Sequence, residues 1–161
     1  MVFVTVGTHE QQFNRLISSV DALVGEKRLA DNVFMQTGYC TYVPEHCAYR
    51  QFVDYKEMAM LMRESDVVIT HGGPSSFIEA MSQGKVPVVV PRLERFGEHV
   101  NDHQADFVRL VAERKGGIIP CFDVADLPKA IEEAESRSSG EAFRGNNSEF
   151  NEAFENLIDE L

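Results

Sequence analysis

The 161-residue sequence predicts a doubly wound α/β domain with a mostly parallel sheet, and three observations carry that expectation. Short runs rich in Val, Ile and Phe alternate with segments of helical period, the pattern that strands and crossover helices leave. Two runs, Val67-Val68-Ile69 and Val86-Pro87-Val88-Val89-Val90, are apolar at consecutive positions, as strands buried on both faces are. The length and the 43% hydrophobic content suit one domain with a full core.

The chain opens on a short β-like run, Val2 to Val6. Phe13 to Leu23 follows with helical period, then the short runs Val33 to Gln36 and Ala48 to Val53. Glu57 to Arg63 returns to helical period, Val67 to Thr70 is a buried strand, and Ser76 to Gln83 is the helix that its loop opens. Val86 to Val90, Val100 to Ala112, Gly117 to Ile119 and Ala125 to Ala134 continue the alternation, so residues 1–135 are expected to form one doubly wound, Rossmann-like domain. Residues 136–148 are polar and rich in turn formers, which predicts a loop or linker. In residues 149–161, Phe150, Phe154, Leu157, Ile158 and Leu161 recur at helical spacing among acidic residues. That predicts an amphipathic terminal helix, which either closes this core or docks another subunit.

Composition removes several function classes. The net charge of −11 leaves no basic cluster to displace counterions from a nucleic-acid backbone, so nucleic acid is not an expected partner. Residues 126–161 hold ten acidic side chains against three basic ones, so most of the excess lies at the C-terminal end and the body is only mildly acidic. Three cysteines, Cys40, Cys47 and Cys121, show neither metal-ligand spacing nor an even count, which fits a reducing cytoplasm. No secretory signal and no apolar stretch long enough to cross a bilayer is visible, so a membrane role is expected through a partner.

In an open parallel sheet, ligands bind at the carboxyl ends of the strands, where strand order reverses. Two loops have the composition for that place. The first is Gly7-Thr8-His9-Glu10-Gln11, and the second is His71-Gly72-Gly73-Pro74-Ser75-Ser76. In the second, the two glycines suit a close backbone approach to a ligand, and the following helix N-terminus favours an anion. An acidic protein is thereby able to hold a diphosphate without a basic cluster. Neither GxGxxG nor GxxxxGK[ST] occurs, so dinucleotide and Walker-type sites are not supported.

Glu79, one turn into that helix, is placed to accept from two ribose hydroxyls, while Ser76-Phe77-Ile78-Glu79 also reads as a capping box. His71 is either a donor to a diphosphate oxygen or a structural histidine. Asn101-Asp102-His103-Gln104 carries side chains suited to several hydroxyls at once, or to capping a helix. His99 and His103 are four apart, but the segment lacks the Glu of HExxH and a third ligand, so no metal site is expected.

Taken together, Asp66 to Pro91, with His71-Gly72-Gly73-Pro74-Ser75-Ser76 and Glu79 inside it, and Asn101 to Gln104 resemble the C-terminal domain of GT-B glycosyltransferases, family 28 in particular. The opening Val4-Thr5-Val6-Gly7-Thr8-His9-Glu10-Gln11-Gln12-Phe13-Asn14-Arg15-Leu16 is similar to stand-alone catalytic subunits of bacterial capsule and exopolysaccharide synthesis. Those in turn are similar to the soluble subunit of the eukaryotic enzyme that adds the second GlcNAc to dolichol diphosphate. The resemblance implies an inverting transfer of a hexose, with galactose or glucuronate favoured, from a UDP-sugar to a lipid-diphosphate-linked sugar acceptor. It implies a membrane-anchored acceptor-binding partner subunit, a place at the cytoplasmic face of the plasma membrane through that partner, and no metal or other cofactor.

Carried over, His71, Ser75 and Ser76 hold the diphosphate, Glu79 the ribose, and Asp102, His103 and Gln104 the sugar hydroxyls, with Gly7, Thr8 and His9 lining the crevice opposite. Pro74-Ser75 departs from the Trp-Asn of many plant relatives, which leaves Ser76 as the firmer diphosphate contact. The base is His9 or Glu10, or a carboxylate or His of the partner. Two other classes remain open, a regulatory sugar-nucleotide-binding subunit and a two-domain epimerase. His71, Glu79 and Gln104 together favour catalysis over regulation, and an epimerase of this type is not expected because it needs a fused second domain that 161 residues cannot hold.

Overall fold

Side chains alternate across a strand, so Val2, Val4 and Val6 face one side of the first strand while Phe3 and Thr5 face the other. A computed structural model describes residues 1–30 and 32–138 and shows what each side meets. The elements are β1 (Val2–Thr5), α1 (Asn14–Gly25), β2 (Val33–Gln36), β3 (Ala48–Arg50), α2 (Tyr55–Glu64) and β4 (Val67–His71). They continue as α3 (Pro74–Ser82), β5 (Val88–Val90), α4 (His103–Arg114), β6 (Ile119–Pro120) and α5 (Leu127–Ser138), with short 3-10 turns at Glu94–Phe96 and Val124–Asp126. Val2, Val4 and Val6 pack with Leu16, Ile17 and Val20 of α1 and Leu127 and Ile131 of α5. Phe3 packs with Val68 of β4, Met62 of α2 and Ala80 of α3 on the opposite face.

The six strands run in the order β3-β2-β1-β4-β5-β6, and every pairing is parallel. The chain thus starts in the middle of the sheet, builds outward to β3, and returns to β4 on the other side of β1. The loops after β1 and β4 therefore flank the point where strand order reverses. The doubly wound α/β fold expected from the alternation is the one observed, with helices on both faces.

Several boundaries shift. β3 stops at Arg50 rather than Val53, and α2 begins at Tyr55 rather than Glu57. β6 is Ile119–Pro120 rather than Gly117 to Ile119, and α5 begins at Leu127 rather than Ala125. β5 begins at Val88 rather than Val86. α3 begins at Pro74 rather than Ser76, because a proline at the first helical position loses no backbone bond and has its φ already set. α4 begins at His103 rather than Val100, because residues 93–102 are drawn into a loop that turns through Gly97 at φ 68°. α5 runs on to Ser138, three residues into the segment expected to be linker. The rest of that segment and the expected amphipathic helix over residues 149–161 lie outside the described residues.

Candidate active site

A cleft of about 500 Å³ opens at the carboxyl ends of β1, β2 and β4. Gly7, Thr8 and His9 of the first loop line it, with His71, Ser75, Ser76 and Glu79 from the end of β4 and the start of α3. The two loops singled out in the sequence do face each other there. Gln36, at the end of β2, and Val53, Asp54, Tyr55, Met58 and Met62, around the start of α2, complete the lining.

His71 is the centre of the arrangement. Its ring is buried, and Gly73 N–H donates to its Nδ1 at 3.1 Å. With Nδ1 accepting, a neutral ring carries its hydrogen on Nε2, which faces the Ser76 hydroxyl at 3.0 Å. Burial, the positive charge of Arg92 and nearby His9 push the His71 pKa down to about 3, so the ring is neutral near pH 7. The Ser76 Oγ accepts from Nε2, and its own O–H is left to donate.

The glycines have a packing task that the sequence did not suggest. A Cβ on Gly73 would lie 2.2 Å from His71 Cε1, and one on Gly7 would lie 2.3 Å from Nε2. A Cβ on Gly72 would meet Pro91 Cα and Gln104 Cβ at 3.0 Å. Gly7 and Gly73 thus make room for the His71 ring between them, and Gly72 makes room for α4. Gly7 is also held at φ 74°, a conformation that side chains disfavour.

The capping box is not formed. Gly73 occupies the N-cap of α3 without a side-chain bond, and Ser76 lies inside the first turn, bonded to His71. Glu79 instead meets Gln83 Nε2 at 3.1 Å and the Tyr55 hydroxyl at 3.4 Å, at the wall of the cleft. With no side chain capping α3, the N-terminal turn keeps its affinity for an anion.

The start of α4 is arranged differently from the expectation. Asn101 Oδ1 accepts from His103 N–H at 3.0 Å, and Asp102 Oδ1 accepts from Glu94 N–H at 2.9 Å. Gln104 Oε1 accepts from Gly72 N–H at 3.1 Å and from Arg92 N–H at 3.0 Å, while its Nε2 lies 3.5 Å from His71 Nδ1. None of Asn101, Asp102, His103 or Gln104 lines the cleft. Glu10 is exposed and lies outside the lining, whereas His9 lines it, with Nε2 2.8 Å from Gln11 Oε1 and its ring stacked 4.6 Å from that of His99. Among the described residues, no group of three His, Cys, Asp or Glu side chains is placed to hold a metal ion.

Several site residues were not anticipated. Gln36 is fixed from below, since Gly7 N–H donates to Thr5 Oγ1 at 3.2 Å and the Thr5 hydroxyl donates to Gln36 Oε1 at 2.5 Å. That leaves the Gln36 amide N–H groups on the cleft side of the network. A polar residue closing an apolar run, as Gln36 does after Val33-Phe34-Met35, is the sequence signal for it. Asp54 had a signal too, as the residue before a helical segment, and its side chain caps α2 through Glu57 N–H at 2.8 Å. Arg92, buried behind the lining, had none.

With this geometry in place, likeness to known proteins adds the family. The family model for the glycosyltransferase family 28 C-terminal domain matches residues 1–161. The human UDP-N-acetylglucosamine transferase subunit ALG13 is 33% identical over 129 residues, a match covering 74% of this chain and 11% of that protein. The solved structure of the glycotransferase of kitacinnamycin superposes with a TM-score of 0.56 at 18% identity, over 97% of this chain and 43% of that one. The glycosyltransferase SnogD from Streptomyces nogalater gives 0.47 at 16% identity over the same shares. The chain thus spans less than half the length of these solved proteins and about a tenth of the curated relative. The former likeness supports the fold, the Rossmann-like half of a GT-B glycosyltransferase, and the match over the whole chain settles the grouping: this protein belongs to the glycosyltransferase family 28 C-terminal domain family.

Proposed function

We propose that this domain binds the UDP-sugar donor of an inverting glycosyltransferase and that a membrane-anchored partner subunit brings the acceptor. The observation that carries the reading is the order of chemistry along the cleft. Ser75, Ser76 and the uncapped start of α3 suit a diphosphate, and Glu79 lies one turn further on. Tyr55, whose hydroxyl meets Glu79, offers an apolar wall with Met58 and Met62. Phosphate, ribose and base follow in that order in a nucleoside diphosphate. The relative named as a UDP-N-acetylglucosamine transferase subunit supports both the uridine nucleotide and the division between subunits.

In the proposed reaction an acceptor hydroxyl attacks the anomeric carbon. The bond from that carbon to the β-phosphate oxygen breaks, and UDP leaves with the bonding pair. Ser76 O–H, backed by His71 Nε2–H, donates to the diphosphate as its charge grows, so neither a metal ion nor another cofactor is invoked. Of the two bases on this chain, the geometry favours His9. Its Nε2 points at the Gln11 oxygen, which leaves the Nδ1 lone pair to take the hydroxyl proton. Asn101 to Gln104 lie outside the cleft lining, Asn101 and Asp102 have acceptor oxygens engaged by backbone N–H groups, and Gln104 is turned toward Gly72, Arg92 and His71. Of that segment His103 is the side chain left for the hydroxyls of a sugar that reaches past the lining.

The partner is proposed to cover the same end of the sheet. Tyr39, Phe52 and Val100 on loops, Phe96 on a 3-10 turn and Tyr55 at the start of α2 are all exposed on segments that follow the carboxyl ends of strands. No described helix is long and apolar enough to cross a membrane, so attachment to the cytoplasmic face of the plasma membrane is assigned to the partner. The hexose proposed is galactose or glucuronate and the acceptor a lipid-diphosphate-linked sugar, both on the resemblance to bacterial polysaccharide subunits.

Titration calorimetry of Glu79→Gln tests the ribose contact. Without a capping box to preserve, the substitution leaves the fold intact and weakens UDP binding by roughly 1.5 to 3 kcal/mol, the worth of a charged hydrogen bond. Unchanged affinity would sink the assignment.

A further inference from the structure

An acidic protein with a diphosphate site needs positive potential from somewhere, and the cleft lining contains no Lys or Arg. The structure supplies a cation from behind it. Arg92, two residues after the end of β5, is completely buried. Its Nη2 donates to the Val6 carbonyl at 2.6 Å, and its Nη1 donates to the carbonyls of Gln11, Glu98 and Gln12 at 2.7, 3.1 and 3.3 Å. Its Nε has no partner, and its guanidinium lies 5.1 Å from the centre of the Phe13 ring. All four bonds go to carbonyl oxygens, none to a carboxylate.

The one buried carboxylate nearby is already matched. Glu98 receives Arg15 Nε and Nη2, each at 3.0 Å, and Leu93 N–H at 3.0 Å. Two guanidiniums and one carboxylate leave a net charge of +1 under the loop that carries Gly7, Thr8 and His9. Buried charge is screened far less than surface charge, so it acts over several ångströms. Its field reaches the cleft, since Arg92 contributes to holding both His71 and His99 below their ordinary pKa.

We propose that Arg92 supplies the electrostatic attraction for the diphosphate from inside the fold, acting without contact through the Val6–Gln12 loop that it holds in place. Arg92 is thus a positioning residue whose charge, and not only whose hydrogen bonds, matters to the ligand. The inference rests on the cleft being a UDP site.

The test compares UDP with uridine, which offers the same base and ribose without charge, by calorimetry on the full chain. The ratio of the two affinities isolates electrostatics from the shape of the site. Arg92→Gln is expected to cut that ratio by roughly tenfold, and Arg92→Lys to hold it within about threefold of the starting value. Glu98→Gln keeps an acceptor oxygen for Leu93 and removes one negative charge, so it is expected to raise the ratio by roughly threefold or more.

If Arg92→Gln does not fold, Glu98→Gln decides, because it leaves every Arg92 bond in place. A rise supports the proposal and an unchanged ratio overturns it. A Lys variant that loses the ratio as fully as the Gln variant also overturns it, since geometry and not charge would then be responsible. Failure of the unaltered protein to bind UDP at all would instead refute the reading of the site.

Discussion

His71 shows how far a single side chain is determined by its surroundings. Two missing Cβ atoms, at Gly7 and Gly73, open its slot, and Gly73 N–H fixes which nitrogen carries the proton. Stability should register the same enclosure. The unfolded chain takes up a proton on this ring near the ordinary value of 6.5, while the folded chain resists it until about pH 3. His71 therefore contributes its full stability above pH 6.5 and loses it as pH falls across that window, at up to roughly 1.4 kcal/mol per pH unit. His99, also held low, adds to the slope with the same sign. Melting temperatures of the unaltered protein and His71→Gln between pH 4 and 7 check this, and the variant's profile is expected to be flatter. His71, Ser76 and Glu79 were legible in the sequence because a strand, two glycines and a helix start fix their places locally. Arg92 was not, because a buried arginine reads like a surface one until the carbonyls that receive it, from residues as distant as Val6, have been brought together.

At the scale of elements, α1 is the anchor for a long excursion between β2 and β3. Asn14, at its first turn, receives Thr41 N–H and Tyr42 N–H on Oδ1, each at 3.0 Å. Asp21, two turns on and buried, receives Tyr42 O–H at 2.6 Å, His46 N–H at 2.8 Å and Glu45 N–H at 3.0 Å. Burial works to raise the Asp21 pKa, but those donors outweigh it and hold the carboxyl below its ordinary range. Asp21→Ala strands three donors and releases residues 41–47 from the helix. The expected cost is about 2 to 4 kcal/mol, read from urea denaturation midpoints. A loss below 0.5 kcal/mol, the range of ordinary surface substitutions, would show that the loop holds itself. Nothing in the sequence marked Asn14 or Asp21 for this, since each sits in a helix as an ordinary polar residue and its partners are more than twenty residues away. The strands and helices themselves were legible because their periods are local. The ends were less so where a distant partner decides them, as at α4, whose entry loop is drawn in by the pairing of Glu98 with Arg15.

For the whole molecule, the parallel sheet puts every strand's carboxyl end at one pole, and the chemistry collects there. His9, His71, both glycine loops and Tyr55 share that pole, which the alternation of strand and helix was enough to foresee. What alternation does not encode is how much of a reaction one pole completes. The cleft is partly open to solvent, and His9, whose Nε2 meets the Gln11 oxygen, is among the residues that line it. The proposed division of labour then has a kinetic signature. Donor binding depends on residues of this chain, so UDP affinity should be nearly the same with and without the membrane subunit. Transfer depends on an acceptor hydroxyl held against the anomeric carbon, and positioning of that kind is worth several powers of ten in rate. Turnover of a lipid-linked acceptor by the chain alone is therefore expected to fall at least about a hundredfold below that of the reconstituted pair. His9→Gln should lower turnover of the pair by roughly 10²-fold or more if this ring takes the proton, with UDP affinity kept. Full turnover without a partner would remove the split site, and an unimpaired His9→Gln pair would move the base to the other subunit.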